Sequence, residues 1–478
     1  MCFLSLLNYK YQSSLFQTIP STLNPLIQSL TLNQNNLKEV GSASFQFHPE
    51  LIKVDLANNQ LEGIQEKTFE AQKVLLILNL SNNKLRHVND MTFYGLENLE
   101  VLDLSTNVFE NLGGFVFQHL PNLQELNLSF NKIRSLDVNT FSGLNSLQTL
   151  NLYGNNFIRI EAEAFSLIPN LLQLNLGQNM ISEINANSFI YFDQLSDLDL
   201  SDNQIQFVAE DSFLGLNNLR TLRLNNLSFS VVPSAALARL IKLEDLELNR
   251  NNFEEIHEDS FAGLEHLKLL SISHSPRLHK IQRLAFSSNV KLTNIDISDN
   301  RNLADIENGV FDPLPKLVHI NLANNNLTTI NLQRVNQTVL QSVELSGNPW
   351  TCDCTTYHIK SLKIPKDDKK PPICSDPPAL QGQPISTANL SQCVTLITSQ
   401  SSIPTTMERT KLVVSLSVTM VVILTVLGVM VFHYQVKGIK LLRRIQDAVC
   451  RRKEAEYQQF FSLSFERDHI YENRFPLT

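Results

Sequence analysis

LSDLDLSDNQI, residues 195–205, sets three leucines, an asparagine and an isoleucine at the spacing Leu-x-x-Leu-x-Leu-x-x-Asn-x-apolar. Leu198 and Leu200 alternate at period two, the pattern of a short strand with its apolar side turned inward. The arrangement recurs. Its Asn falls at Asn35, Asn59, Asn83, Asn107, Asn131, Asn155, Asn179 and Asn203, each 24 residues apart, and again at Asn251, Asn300, Asn325 and Asn348. Leu227 and Ser275 stand in for it in two more repeats, which makes fourteen. A unit this short cannot bury its apolar side alone, so the units must stack into one parallel sheet. At the turn after each strand the Asn amide can satisfy backbone groups that would otherwise be unpaired.

Ten residues past most of these Asn positions sits a Phe: Phe45, Phe69, Phe93, Phe117, Phe141, Phe165, Phe189, Phe213 and Phe261, with Phe286 and Phe311 one residue later. Spacing locked to the repeat predicts a packing spine on the convex side. Together these features resemble the extracellular leucine-rich repeat family. The resemblance implies an α/β-type solenoid, a horseshoe with a parallel concave β-sheet and about 14 coils. A chain of 478 residues would otherwise suggest two or three domains, but a fixed period overrides that prior.

The ends carry different signals. MCFLSLL is shorter than a signal-peptide core and has no basic leader. Residues 15–35, LFQTIPSTLNPLIQSLTLNQN, resemble the last part of the family's cysteine-rich N-terminal cap, whose upstream cysteines are missing. Residues 1–26 are therefore expected to be an atypical or incomplete cap before an array at 27–348. Four of the six cysteines, Cys352, Cys354, Cys374 and Cys393, cluster after the array. Their even number in a short segment points to disulfides in an oxidising compartment; a zinc site is the alternative, although C-x-C followed by widely spaced Cys lacks paired knuckles. NPWTCDC and CSDPPALQG within 349–393 resemble the family's C-terminal cysteine-rich cap, and that resemblance implies the pairs Cys352–Cys374 and Cys354–Cys393. TTYHIKSLK lacks the second Trp often found there.

Residues 394–411 are Ser- and Thr-rich and read as a stalk. LVVSLSVTMVVILTVLGVMVF, 412–432, holds no charge and at about 1.5 Å per residue reaches ~31 Å, a bilayer's width. From 433 to 478 there are nine Lys and Arg against six Asp and Glu, whereas the whole chain carries −8. That bias predicts a single-pass type I plasma-membrane protein with extracellular repeats and a cytoplasmic C-terminus. The tail is too short for a kinase or Toll-type domain. Its first half reads as a basic amphipathic helix on anionic lipid or as a stop-transfer flank. Cys450 is a candidate palmitoylation site, Tyr457 in YQQF resembles an endocytic signal, and Tyr471 in YENR resembles an SH2-docking site for a cytoplasmic adaptor.

The outward residue of each Leu-x-Leu lines the concave face, which is polar and mostly acidic. Charge of both signs gathers at Asp197, Asp199, Arg220, Arg223, Glu244, Asp245 and Glu247, on three adjacent strands. A solvated ladder from Asp199 to Arg223 to Glu247 is one reading. A contact patch for a protein ligand is the other. N-glycosylation motifs stand at Asn79, Asn127, Asn226, Asn326, Asn336 and Asn389. Asn79 and Asn127 occupy outward strand positions, so glycans there would shield the N-terminal half of the concavity, close to the aromatic residues Phe130 and Tyr153. Leu227, Leu237, Ser275 and the extra residue in HSPRLHKI make this zone irregular, which predicts a local change in curvature. His274 and His279 there have no accompanying metal-ligand constellation.

The acidic balance argues against a nucleic-acid partner. No phosphate loop, nucleophile elbow or metalloprotease helix is present, so neither an enzyme nor a cofactor is expected. The expected function is a cell-surface receptor, adhesion molecule or co-receptor that binds an extracellular protein. The alternative is an innate-immune or developmental signalling receptor acting through tail phosphotyrosines.

Overall fold

A strand that is leucine on one side and polar on the other can be buried on one face alone. Repeating it every coil joins those faces into a continuous core. The structure is a computed structural model and describes residues 8–12, 15–20, 23–354, 356–362 and 371–390, all within the compact unit Met1–Cys393. Fifteen three-residue strands form one parallel sheet in chain order. They are β1 (Asn8–Lys10), β2 (Ser29–Thr31), β3 (Lys53–Asp55), β4 (Ile77–Asn79), β5 (Val101–Asp103), β6 (Glu125–Asn127), β7 (Thr149–Asn151) and β8 (Gln173–Asn175). Then follow β9 (Asp197–Asp199), β10 (Thr221–Arg223), β11 (Asp245–Glu247), β12 (Leu269–Ser271), β13 (Asn294–Asp296), β14 (His319–Asn321) and β15 (Ser342–Glu344). This is one strand more than the fourteen expected. Strand β1 turns Tyr9 inward where other strands turn a branched aliphatic residue, and it pairs with β2.

Strand centres stack directly, Leu174 on Leu198, Leu222 and Leu246, and all four are buried. The turn Asn ties each coil to the one before it. Asn203 donates through Nδ2 to the carbonyls of Leu200 (2.9 Å) and Leu176 (3.0 Å), and its Oδ1 accepts the Ile181 N–H at 3.0 Å. The irregular repeats do not interrupt the sheet. Leu269 still faces Asn294 directly, so the added residue is absorbed on the return side.

The return segments differ from the α/β expectation. Among the described residues the convex side holds one four-residue α-turn, α1 (Ser234–Leu237), short 3-10 turns, and narrow parallel strips such as Glu183–Ile184 against Phe207–Val208. A 24-residue coil leaves too short a return for a helix, since short helices are marginal. The Phe row does form a spine. All eleven rings are buried, and six neighbouring pairs stack with centroids from 5.4 Å (Phe45–Phe69) to 6.3 Å (Phe286–Phe311), while Phe192 bridges Phe165 and Phe189. Leu237 on α1 fills the gap at Phe213–Phe261 and is itself buried.

After β15 the core is continued by Trp350, Ile359, Leu362, Ile385 and Leu390. Trp350 is buried and donates Nε1–H to the Leu345 carbonyl at 2.8 Å. A disulfide joins Cys352 to Cys374, which excludes zinc at those two sulfurs, and Cys354 is disulfide-bonded as well. Cys393, the stalk, the 412–432 segment, and Cys450, Tyr457 and Tyr471 in the tail lie outside the described residues. Among the described residues no helix is long and apolar enough to cross a membrane, and no cluster of three metal-binding side chains occurs.

Candidate functional site on the concave face

The outward residue of a strand is followed, two positions on, by a backbone N–H that the turn leaves unpaired. Asx side chains accept it locally: Asp55, Asn79, Asp103, Asn127, Asn151, Asn175 and Asp199 all do so at 2.9–3.1 Å. Their carboxylates and amides are thus partly committed to the turn. On β10 to β12 the pattern changes, because Arg223, Glu247 and Ser271 stand where Asx would. There the preceding coil takes over: Ser201 Oγ accepts the Asn225 N–H at 3.3 Å, Asn225 Oδ1 accepts from Asn249 at 2.9 Å, and Asn249 Oδ1 accepts from Ser273 at 2.8 Å. Arg223 and Glu247 are released from turn duty.

The released side chains pair across strands. Arg223 Nη1 lies 2.8 Å from Asp197 Oδ1 and its Nε 3.3 Å from Glu247 Oε1, while Asn225 Nδ2 donates to Glu247 Oε2 at 2.8 Å. The ladder therefore begins at Asp197 rather than at Asp199, whose Oδ1 holds the Ser201 N–H. A second row runs beside it, with Glu244 between Arg220 and Lys268, the latter at 2.6 Å. Lys268 is a member that the sequence reading missed; a same-row charge one coil beyond Glu244 was the signal. Burial opposes the Arg223 charge, yet Asp197 and then Glu247 hold its pKa above the usual value. The Lys268 hydrogen bond holds Glu244 below the ordinary range. Asp245 makes no ion pair among the described residues; burial first, then Glu247, holds its carboxyl above the ordinary range.

Beyond Asp245 the face sinks into a shallow depression of about 420 Å3, lined by Asp245, Glu247, Ser271, Asp296, His319 and Glu344 among others. His319 Nδ1 and Ser342 Oγ are 2.7 Å apart at its edge. His274 and His279 are exposed outside the strands, 3.8 Å from Asp299 and 3.4 Å from Glu255. Of the glycosylation motifs, Asn79 and Asn127 are half-buried on β4 and β6, whereas Asn226, Asn326, Asn336 and Asn389 are exposed. Phe130 and Tyr153 meet edge-to-face at 5.3 Å in the turns after β6 and β7. Phe130 adopts a left-handed φ of 53°, which costs a bulky side chain on the order of 1–2 kcal/mol.

A one-sided polar sheet of stacked coils with a cross-strand charged patch defines a solenoid repeat protein. Sequence models described as "Leucine rich repeat" match residues 49–109, 98–157, 154–205, 169–226 and 193–252, and "BspA type Leucine rich repeat region (6 copies)" matches 230–353. The chain belongs to the leucine-rich repeat family. It is similar to phospholipase A2 inhibitor beta of Elaphe climacophora, 31% identical over 94 residues, 19% of this chain and 28% of that one. A phospholipase A2 inhibitor of Gloydius brevicaudus siniticus is 31% identical over 106 residues, 21% of this chain and 31% of that one. The match thus spans less than a third of these curated relatives. Among solved structures, a TLR13–ssRNA13 complex is similar at TM-score 0.57 and 26% identity, covering 77% of this chain and 61% of that one. The Drosophila Toll–Spatzle complex follows at TM-score 0.55 and 19% identity, with 76% and 61% covered, and supports the fold alone.

Proposed function

We propose that the protein is a cell-surface receptor, adhesion molecule or co-receptor that binds an extracellular protein at the charged patch of β9 to β11. One observation carries this reading: the turn duty that passes to Ser201, Asn225 and Asn249 lets Arg223 and Glu247 form an outward-facing cross-strand charged row instead. Ion pairs this exposed add about 0–1 kcal/mol to stability, whereas alternating charge sets partner choice and association rate. Asp197, Asp199, Arg220, Arg223, Glu244, Asp245 and Glu247 are the proposed contact residues. The TLR13 structure contains RNA, but an acidic face repels phosphate, so a protein ligand is preferred here.

The remaining layout belongs to the same reading. Residues 1–26 would be an atypical or incomplete N-terminal cap that lends β1 to the sheet, 349–393 a cysteine-rich C-terminal cap completed by Cys354–Cys393, 394–411 a stalk, 412–432 a membrane span and 433–478 a cytoplasmic tail. Glycans are proposed on Asn79, Asn127, Asn226, Asn326, Asn336 and Asn389; those on Asn79 and Asn127 would shield the N-terminal half of the concavity rather than the β9 to β11 strands. A second reading, a signalling receptor that recruits a cytoplasmic adaptor, rests on Tyr471 in YENR, with Tyr457 as a second phosphorylation site and Cys450 as a lipid anchor.

The test is capture of secreted and cell-surface proteins by cells displaying the full chain. Arg220→Glu with Arg223→Glu should lower capture at least tenfold at unchanged surface display. Equal capture would remove the patch from the binding surface. Loss of downstream output in Tyr471→Phe with capture intact would favour the signalling reading.

A further inference from the structure

Phe130 and Tyr153 are hydrocarbon rings on turn positions that the other described coils fill with polar residues, glycine or alanine. The position just before the turn Asn adopts left-handed backbone and is filled in other coils mostly by Asn, Asp, Gln, Thr or Gly, and by Arg250 and His274 in two of them; Asn, Asp and Gly tolerate it better than Phe. Tyr153 stands where Ser81, Ser105, Ser129 and Ser201 stand. Neither ring belongs to the fully buried core, and Phe130 is 52% exposed. The rings are nevertheless fixed. The rings meet edge-to-face at 5.3 Å, and the next coil offers a glycine under each ring. A Cβ on Gly154 would lie 2.8 Å from Phe130 Cδ1, and one on Gly177 would lie 3.0 Å from Tyr153 Cδ2. Four residues on three coils thus hold an aromatic step in which Phe130 is exposed and left-handed and Tyr153 half-buried.

The charge around the step says what it would receive. In the strands and turns from residue 99 to residue 203, the residues that precede each turn Asn carry Glu100, Asp103, Glu125, Asp197, Asp199 and Asp202, and no Lys, Arg or His; Lys132 follows the turn Asn after Phe130. Burial, then Asp202 and Asp199, holds the Tyr153 phenol above its usual range, so those two carboxylates act on the phenol from two coils away. Aromatic faces are themselves negative, and they attract a cation by about 0.5–1 kcal/mol or more. A phosphate-bearing or acidic partner would be repelled by the same carboxylates.

We propose that Phe130 and Tyr153 form a preorganised docking step for an Arg or Lys side chain on a basic segment of the bound protein. This rests on the reading of the concave face as a protein-binding surface. It extends the contact area from the β9 to β11 patch toward the N-terminal half of the array.

The purified full-length chain is titrated with a fluorescent peptide of alternating Arg and Gly, with a Glu-Gly peptide and with single-stranded oligouridine as counterparts. The basic peptide should bind, and Phe130→Leu or Tyr153→Leu should weaken it fivefold or more, while Tyr153→Trp should stay within twofold. Phe130→Asn supplies a signature that a packing role would not: it restores the favoured turn residue, so the thermal midpoint should rise while peptide affinity falls at least fivefold. Peptide binding that is unchanged in Phe130→Asn and Tyr153→Leu overturns the proposal, as does tighter binding of oligouridine. Peptide binding that appears only in Asn127→Gln also overturns it, since the step would then be covered by the chain's own glycan. If a captured protein ligand is insensitive to the ring variants, this inference alone fails. If no protein is captured although the peptide still requires the rings, the broader reading fails instead.

Discussion

Asn203 satisfies two carbonyls and one N–H from two coils while buried; Asp199 satisfies one N–H of its own turn while half-buried. Losing a buried partner costs roughly 1–3 kcal/mol per stranded group. Asn203→Ala should therefore cost about 3 kcal/mol or more and Asp199→Ala about 1 kcal/mol, read as separate shifts in urea denaturation. Equal costs would show that the two residues share one role. Asp245 gives a pH-dependent counterpart. Its folded pKa is raised, chiefly by burial and then by Glu247, so the native state binds that proton more tightly than the unfolded chain. The associated stability is present below the unfolded value of about 3.9 and is lost as pH rises through the folded value. Asp245→Asn should stabilise the array at pH 7, and the gain should vanish below about pH 4. A gain that is the same at pH 7 and pH 3.5 would contradict the charge argument. The Asn role was legible because it repeats; the takeover by Ser201, Asn225 and Asn249 was not, because it joins neighbouring coils through residues that share no motif.

Strands and spine divide the work of a coil. Period two shows that Asp197 and Asp199 both point outward from β9, but it cannot choose between them as the partner of Arg223. The choice follows from the turn, which takes Asp199 and leaves Asp197 free. On the convex side the Phe spacing predicted a spine, and the rings stack as expected. Helices did not follow, because a return of this length closes with turns and two-residue strands instead. Phe141 is buried and stacks on Phe165 at 5.8 Å. Phe141→Ala should cost about 3–5 kcal/mol. Since each coil touches only its neighbours, hydrogen exchange should accelerate in β6, β7 and β8 and stay unchanged in β12 and β13. Uniform acceleration would mean that the spine acts as one cooperative rod.

Across the whole array the weak points are its ends, where a coil has a neighbour on one side only. Beyond β15 that missing neighbour is replaced by a segment with little core of its own. Trp350 closes over Leu345, Trp350–Thr351 pairs in parallel with Cys374–Asp376, and the Cys352 N–H donates to the Asp376 carbonyl at 2.7 Å. The disulfide spans 22 residues, and closing a loop of that size is worth about 3 kcal/mol through the unfolded chain. Cys352→Ser with Cys374→Ser should remove roughly that much from the end segment. The sheet should then fray inward: β15 loses amide protection first, β14 next, and β7 keeps its protection. The order matters because β13 to β15 wall the acidic depression beside the charged patch, whereas the Phe130–Tyr153 step follows β6 and β7 and lies farther from that end of the sheet. The double variant should therefore loosen contacts made through Asp296 and Glu344 before it disturbs binding at the aromatic step, a separation that hydrogen exchange with and without the basic peptide would read directly. Simultaneous loss of protection in β7 and β15 would show that the array unfolds as a single unit, and that its two ends are energetically coupled.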